Sequence, residues 1–87
     1  MSKKPTLGLV GGEDPRSDWE AKARNLLKGE LRRRGVTYKE LAKRLSQIGV
    51  TESAPNISNK ISRGSFTAVF LLQCLHAIGA TQVQLTD

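Results

Sequence analysis

The chain has 87 residues with a single cysteine and a single histidine. It carries fourteen Lys and Arg against eight Asp and Glu, for a formal charge of +6 and a pI near 10.0. One compact domain is the natural count at this length, and no stretch approaches the ~20 apolar residues of a membrane span. One cysteine excludes an internal disulfide framework and a cysteine-rich zinc site, so a reduced, cytoplasmic setting is expected.

The charge is unevenly spread. Residues 17–48 hold nine basic and four acidic residues, whereas residues 65–87 hold no basic residue. A positive field confined to one part of a molecule suits an anionic partner such as nucleic acid, and it also serves as a solubilising surface.

Residues 1–16 read as a flexible tail. Pro5, Gly8, Gly11, Gly12 and Pro15 interrupt it, and its apolar part is too short and too broken for a secretory signal. Lys3 and Lys4 form a basic arm there. The domain proper is expected over 17–87.

A first helix is predicted from Ser17, where "SDWE" has the capping-box form. Trp19, Ala23, Leu26, Leu27 and Leu31 line its apolar face, with Trp19 as a core anchor, and Gly35 ends it. Arg32, Arg33 and Arg34 at that end suit the helix dipole, and they equally suit phosphate. "TYKE" repeats the capping box with Thr37 as cap, opening a second helix that buries Tyr38, Leu41, Ala42, Leu45 and Ile48 and stops at Gly49. A third helix, Ala54 to Arg63, follows a Ser53 cap, with Pro55 tolerated in its first turn. Ala54, Ile57 and Ile61 form its narrow apolar stripe; Asn56, Asn59, Lys60 and Arg63 lie opposite, and Gly64 stops it. The fourth helix, Thr67 to Ile78, is apolar nearly all round, which predicts burial on most sides or a subunit contact. "TQVQL" alternates polar and apolar residues and reads as a short strand or a packed tail.

Two helices joined by a short turn, the second displaying Asn, Lys and Arg, form the arrangement of a helix-turn-helix. Asn pairs bidentately with adenine N6 and N7, and Lys or Arg reaches guanine O6 and N7 in the major groove. Asn56, Asn59 and Lys60 are the expected base readers. Ser58 and Arg63 fall nearer the backbone, where Arg63 also has a bland role as a helix-end charge beside Gly64. Thr37, Arg33 and Lys43 are expected to hold phosphates and to supply salt-sensitive affinity.

"GVTYKELAKRL" followed by "NISNKISRGSFTAVFLLQCLHAIG" resembles the repressor-like (Cro/XRE-type) helix-turn-helix family. Trp19 to Leu85 is also similar to a small bacterial family of domains without an assigned function. The first resemblance implies an all-α, compact four- to five-helix domain that binds double-stranded DNA; the second imports no activity. In one respect the chain departs from the repressor-like pattern: the stretch from Ala42 to Ile57 is several residues longer, so the second helix runs on or the turn swings wider.

Cys74 and His76 stand two apart on a helix and point away from each other, so they do not make a shared site. Cys74 reads as a small buried hydrophobe and His76 as a surface residue. No phosphate cradle or nucleophile arrangement occurs in the sequence, and neither an enzyme nor a cofactor, metal or small-molecule substrate is expected. One recognition helix reads few base pairs, so a homodimer is expected, through the fourth helix and the "TQVQLTD" tail. The alternative is a protein-interaction module of the same fold. RNA binding would call for exposed stacking aromatics, and most of the four aromatics occupy core-like positions.

Overall fold

A computed structural model describes residues 15–85. The expectations for the tail up to residue 14 and its basic arm lie outside the described residues. The described residues form four helices: α1 (Pro15–Arg33), α2 (Tyr38–Gln47), α3 (Ala54–Arg63) and α4 (Ala68–Ala77). Among the described residues there is no strand and no fifth helix. No helix among them is long and apolar enough to cross a membrane.

Three helix starts follow the sequence. The hydroxyls of Thr37, Ser53 and Thr67 accept from the backbone N–H three residues on, at 3.1, 3.2 and 3.0 Å. Each satisfies a first-turn amide that has no carbonyl to bond. The start of α1 differs. It begins at Pro15, so Ser17 lies inside the first turn and caps nothing, and Glu20 pairs with Arg16 at 3.2 Å. Proline suits a first helical position because its missing N–H would be unpaired there anyway. The reach-back half of the second capping box is replaced as well, since Glu40 accepts from Arg44 at 3.0 Å.

Three helix ends share one device. Val36, Val50 and Ala80 donate back to Leu31, Leu45 and Leu75, each at 2.9 Å, while the glycine before each bonds the turn below. This is a Schellman stop, and the residue after the glycine tucks an apolar side chain against the core.

The core consists of Leu27 and Leu31 from α1, Val36 after it, Leu41 and Leu45 from α2, Ile57 and Ile61 from α3, and Phe70, Cys74, Leu75 and Ile78 from α4 and its end. α3 packs on α1 and α2, and α4 packs on the same two helices. Some expected core positions are outside. Trp19 is 53% exposed and Ile48 39%, while Val69 and Leu72 give α4 an apolar outward face. α4 is therefore buried on one side, not on most. The "TQVQL" stretch forms no strand; Val83 leans on the core and Leu85 is exposed.

A close joint lies between the end of α3 and α1. Gly64 has φ +70°, and a Cβ placed there would stand 2.3 Å from the Glu20 carbonyl oxygen. Beside it, Arg24 Nη1 donates to the Ser62 carbonyl at 3.3 Å. Gly35 has a similar φ, +66°, with open space around it. Alanine at Gly35 should therefore cost only the left-handed backbone, about 1–2 kcal/mol. Alanine at Gly64 should add an overpacking cost of about 1–3 kcal/mol. Urea unfolding of the two variants checks this; equal losses would show that α1 does not press on the end of α3.

Candidate nucleic-acid interface

α3 is seated by Ile57 and Ile61, both fully buried. Helical geometry turns about 100° per residue, which places Asn59 opposite that stripe, Asn56 and Arg63 on one flank, and Pro55 and Ser62 on the other. All five are exposed, and Ser58 is half-buried. Among the described residues, neither the Asn56 nor the Asn59 side chain has a hydrogen-bonding partner. Each amide is thus left with both its donor and its acceptor, the pair that recognises adenine.

The longer Ala42–Ile57 stretch ends α2 at Gln47 and spends residues 48–53 on the connection. Glu52 in that connection receives the ammonium of Lys60, which also lies 5.0 Å from the Phe70 ring centroid. The Glu52 side chain is only 13% exposed, against 38% for Lys60. Lys60 is therefore held between the connection and α4, on the edge of α3 nearest the protein body. Glu52 was not legible as a partner. It stands eight residues from Lys60 with a helix start between them, and no periodic pattern links the two.

Arg63 is exposed, and with Lys60, Ser65, Phe66, Thr67 and Phe70 it lines a cleft of about 200 Å³. The Phe66 and Phe70 rings stand 5.7 Å apart, tilted by 56°. Thr37 lies elsewhere, in a second cleft of about 290 Å³ with Lys28, Leu31, Arg32, Val36 and Tyr38. Its hydroxyl is engaged as the α2 cap. The cations beside it are Arg32, one of the arginine triplet, and Lys28, which the sequence reading did not single out. The i, i+4 spacing of the two, which puts both on one face of α1, is the signal that would have found Lys28.

Arg33 does not share that cleft. It pairs with Glu30, which also accepts from Arg34 Nε at 3.4 Å. The group faces residues 82–84 across a depression of about 510 Å³. Lys43 is exposed on α2 with no acidic partner among the described residues. The eight candidates thus fall apart. Five lie on α3, and Thr37, Arg33 and Lys43 occupy three separate positions on α1, α2 and the turn between them.

Among the described residues, two groups have shifted protonation. The hydrogen bond from Arg33 holds the Glu30 carboxyl below its ordinary value of 4.5, against the opposing effect of burial and with further help from Arg34. Burial pushes the Cys74 thiol up to about 12, with the Glu52 carboxylate adding to the rise and Lys60 countering it. At neutral pH Cys74 is a protonated, buried thiol and not a nucleophile. One oxygen of Asp18, Oδ2, is enclosed without a partner among the described residues. No group of three or more His, Cys, Asp or Glu among them could hold a metal ion.

Because the folded carboxyl of Glu30 titrates below its unfolded value, its share of stability is present above pH 4.5 and is lost as pH falls through the depressed folded value. The melting-temperature gap between wild type and Glu30→Gln should therefore be widest near neutrality and close in acid. A gap independent of pH would show that the carboxylate charge is not what the two arginines stabilise.

No curated protein and no solved structure matches the chain. Residues 19–83 match a family described as a domain of unknown function (DUF6471), and the chain belongs to that family.

Proposed function

We propose that this domain binds double-stranded DNA in a sequence-specific manner, with α3 entering the major groove, and that it acts in the cytoplasm as a small transcriptional regulator. The observation that carries the reading is the pair of unpartnered amides, Asn56 and Asn59, opposite the Ile57–Ile61 stripe. An α-helix is about 10–12 Å across with its side chains, and the major groove, about 12 Å wide, admits it. Asn59 at the apex and Asn56 beside it read base edges. Arg63 and Ser58 lie towards the strands, and Lys43, Arg33 and Thr37 add backbone contacts. The phosphate contacts supply a salt-dependent share of the affinity that is the same for every sequence.

The functional unit in this proposal is a homodimer. Val69 and Leu72 are 63% and 65% exposed on the outward face of α4, and His76 continues that face. Residues 65–85 contain no charged residue, so two copies of a chain with charge +6 repel each other least through this surface. The same apolar face also supports a second reading, a protein-interaction module that docks a different partner through α4 and does not read DNA.

Selection of the full chain against a random duplex library at near-physiological salt separates the two. The DNA reading expects an enriched, two-fold symmetric motif; the absence of enrichment, with a protein captured through α4, favours the module. On the selected site Asn59→Ala should cost about 1–3 kcal/mol while changing mixed-sequence binding little. Equal loss on both kinds of DNA would remove Asn59 from base reading. Leu72→Asp should convert a dimer to a monomer in sedimentation without unfolding it, since the side chain already faces water.

A further inference from the structure

We propose that Glu52 is a specificity-determining residue that masks Lys60 from DNA, so that the amides of α3 and not its cations decide where the helix settles. This rests on the DNA-binding reading above. Lys60 is four residues after Asn56 and three before Arg63, so on helical spacing it borders the exposed face. A free ammonium there would attach to any phosphate of any sequence. In the structure it is not free. The Glu52 carboxylate takes it from the connection side, and the Phe70 ring lies beneath it at 5.0 Å.

The arrangement is built and not incidental. Glu52 sits immediately before the Ser53 cap, so the residue that starts α3 and the residue that holds Lys60 are neighbours. Its side chain is 13% exposed, which leaves little water to compete for the carboxylate. The pair acts on the Cys74 thiol in opposite senses. A cation held at two points, by an anion and by an aromatic face, stays with the protein when a phosphate approaches. Removing the carboxylate leaves only the weaker ring contact, and Lys60 becomes one more phosphate ligand beside Arg63.

The experiment is the salt dependence of binding to a mixed-sequence duplex. It compares the full chain with Lys60→Gln, Glu52→Gln and the double variant, each checked for helix content by circular dichroism. Each phosphate contact changes the slope of log K against log salt by about 0.9. Lys60→Gln should leave the wild-type slope unchanged. Glu52→Gln should steepen it by about one such step, bind mixed DNA several-fold tighter at low salt and narrow the preference for the selected site. The double variant should return to the wild-type slope. A shallower slope in Lys60→Gln would show that Lys60 already contacts DNA, and unchanged slopes in both single variants would show that there is nothing to unmask; either overturns the proposal. If Glu52→Gln does not fold, Lys60→Gln alone still decides whether the cation is masked. Absence of binding by every protein removes the DNA reading itself and the masking proposal with it, an outcome distinct from binding with the wrong slopes.

Discussion

Everything α3 presents to solvent depends on two isoleucines. Ile57 and Ile61 are the fully buried side chains of a ten-residue helix, and each contributes roughly 1.5–3 kcal/mol by its burial. That is a narrow attachment for an element on which the proposed recognition surface is built, in a domain whose whole stability is of order 5–15 kcal/mol. The consequence is visible at every edge of the helix. Ser53 closes its start, Gly64 turns the chain off against the Glu20 carbonyl, Arg24 holds the Ser62 carbonyl, and Lys60 is tied to Glu52. With so few apolar anchors, the orientation of α3 is set by these polar and steric fastenings around its rim. The remaining positions are then free to be polar without costing the core anything.

Much of this was legible in the sequence because it is local. A hydroxyl three residues ahead of the amide it caps, a glycine after the last turn and an i, i+4 isoleucine pair are short-range patterns, and α2, α3 and α4 obey them. The failures occur where two local rules compete or where a neighbour is missing. "SDWE" satisfies the capping-box pattern, but Pro15 has already started the helix. Glu40 is placed to reach back, but Arg44 one turn on is a charged alternative. Trp19, Ile48, Val69 and Leu72 lie on apolar stripes that extend beyond what the neighbouring helices cover. Periodicity shows which face is apolar and says nothing about how many neighbours are available to bury it.

The sequence shows which candidate residues α3 exposes and not how their charges are paired. Counting charges gives a basic molecule, but several cations are already spoken for. Glu30 holds Arg33 and Arg34, Glu40 holds Arg44, and Glu52 holds Lys60. The exposed Glu40–Arg44 pair adds little to stability, yet it still lowers the local field. Lys28, Arg32, Lys43 and Arg63 have no carboxylate partner among the described residues, and the long-range attraction to an anion comes from cations of that kind. Composition alone places the arginine triplet at the centre of that field. The structure gives two of its three members to a buried carboxylate and leaves Arg32 in a cleft beside the α2 cap.

Physical economy links these points. A recognition face can gain affinity from cations, which attach to every phosphate, or discrimination from amides, which lose their partners on the wrong base and then stand unpaired in a desolvated groove. Asn56 and Asn59 belong to the second kind, and no group among the described residues competes for them. Lys60 belongs to the first kind, and a carboxylate competes for it at close range. Arg63, the remaining cation of the helix, stands at its last turn, where in the proposed complex its charge would orient the helix on the duplex without entering the groove. If α3 reads DNA as proposed, the arrangement favours discrimination over raw attraction along α3 and leaves the general attraction to the basic surface of α1 and α2.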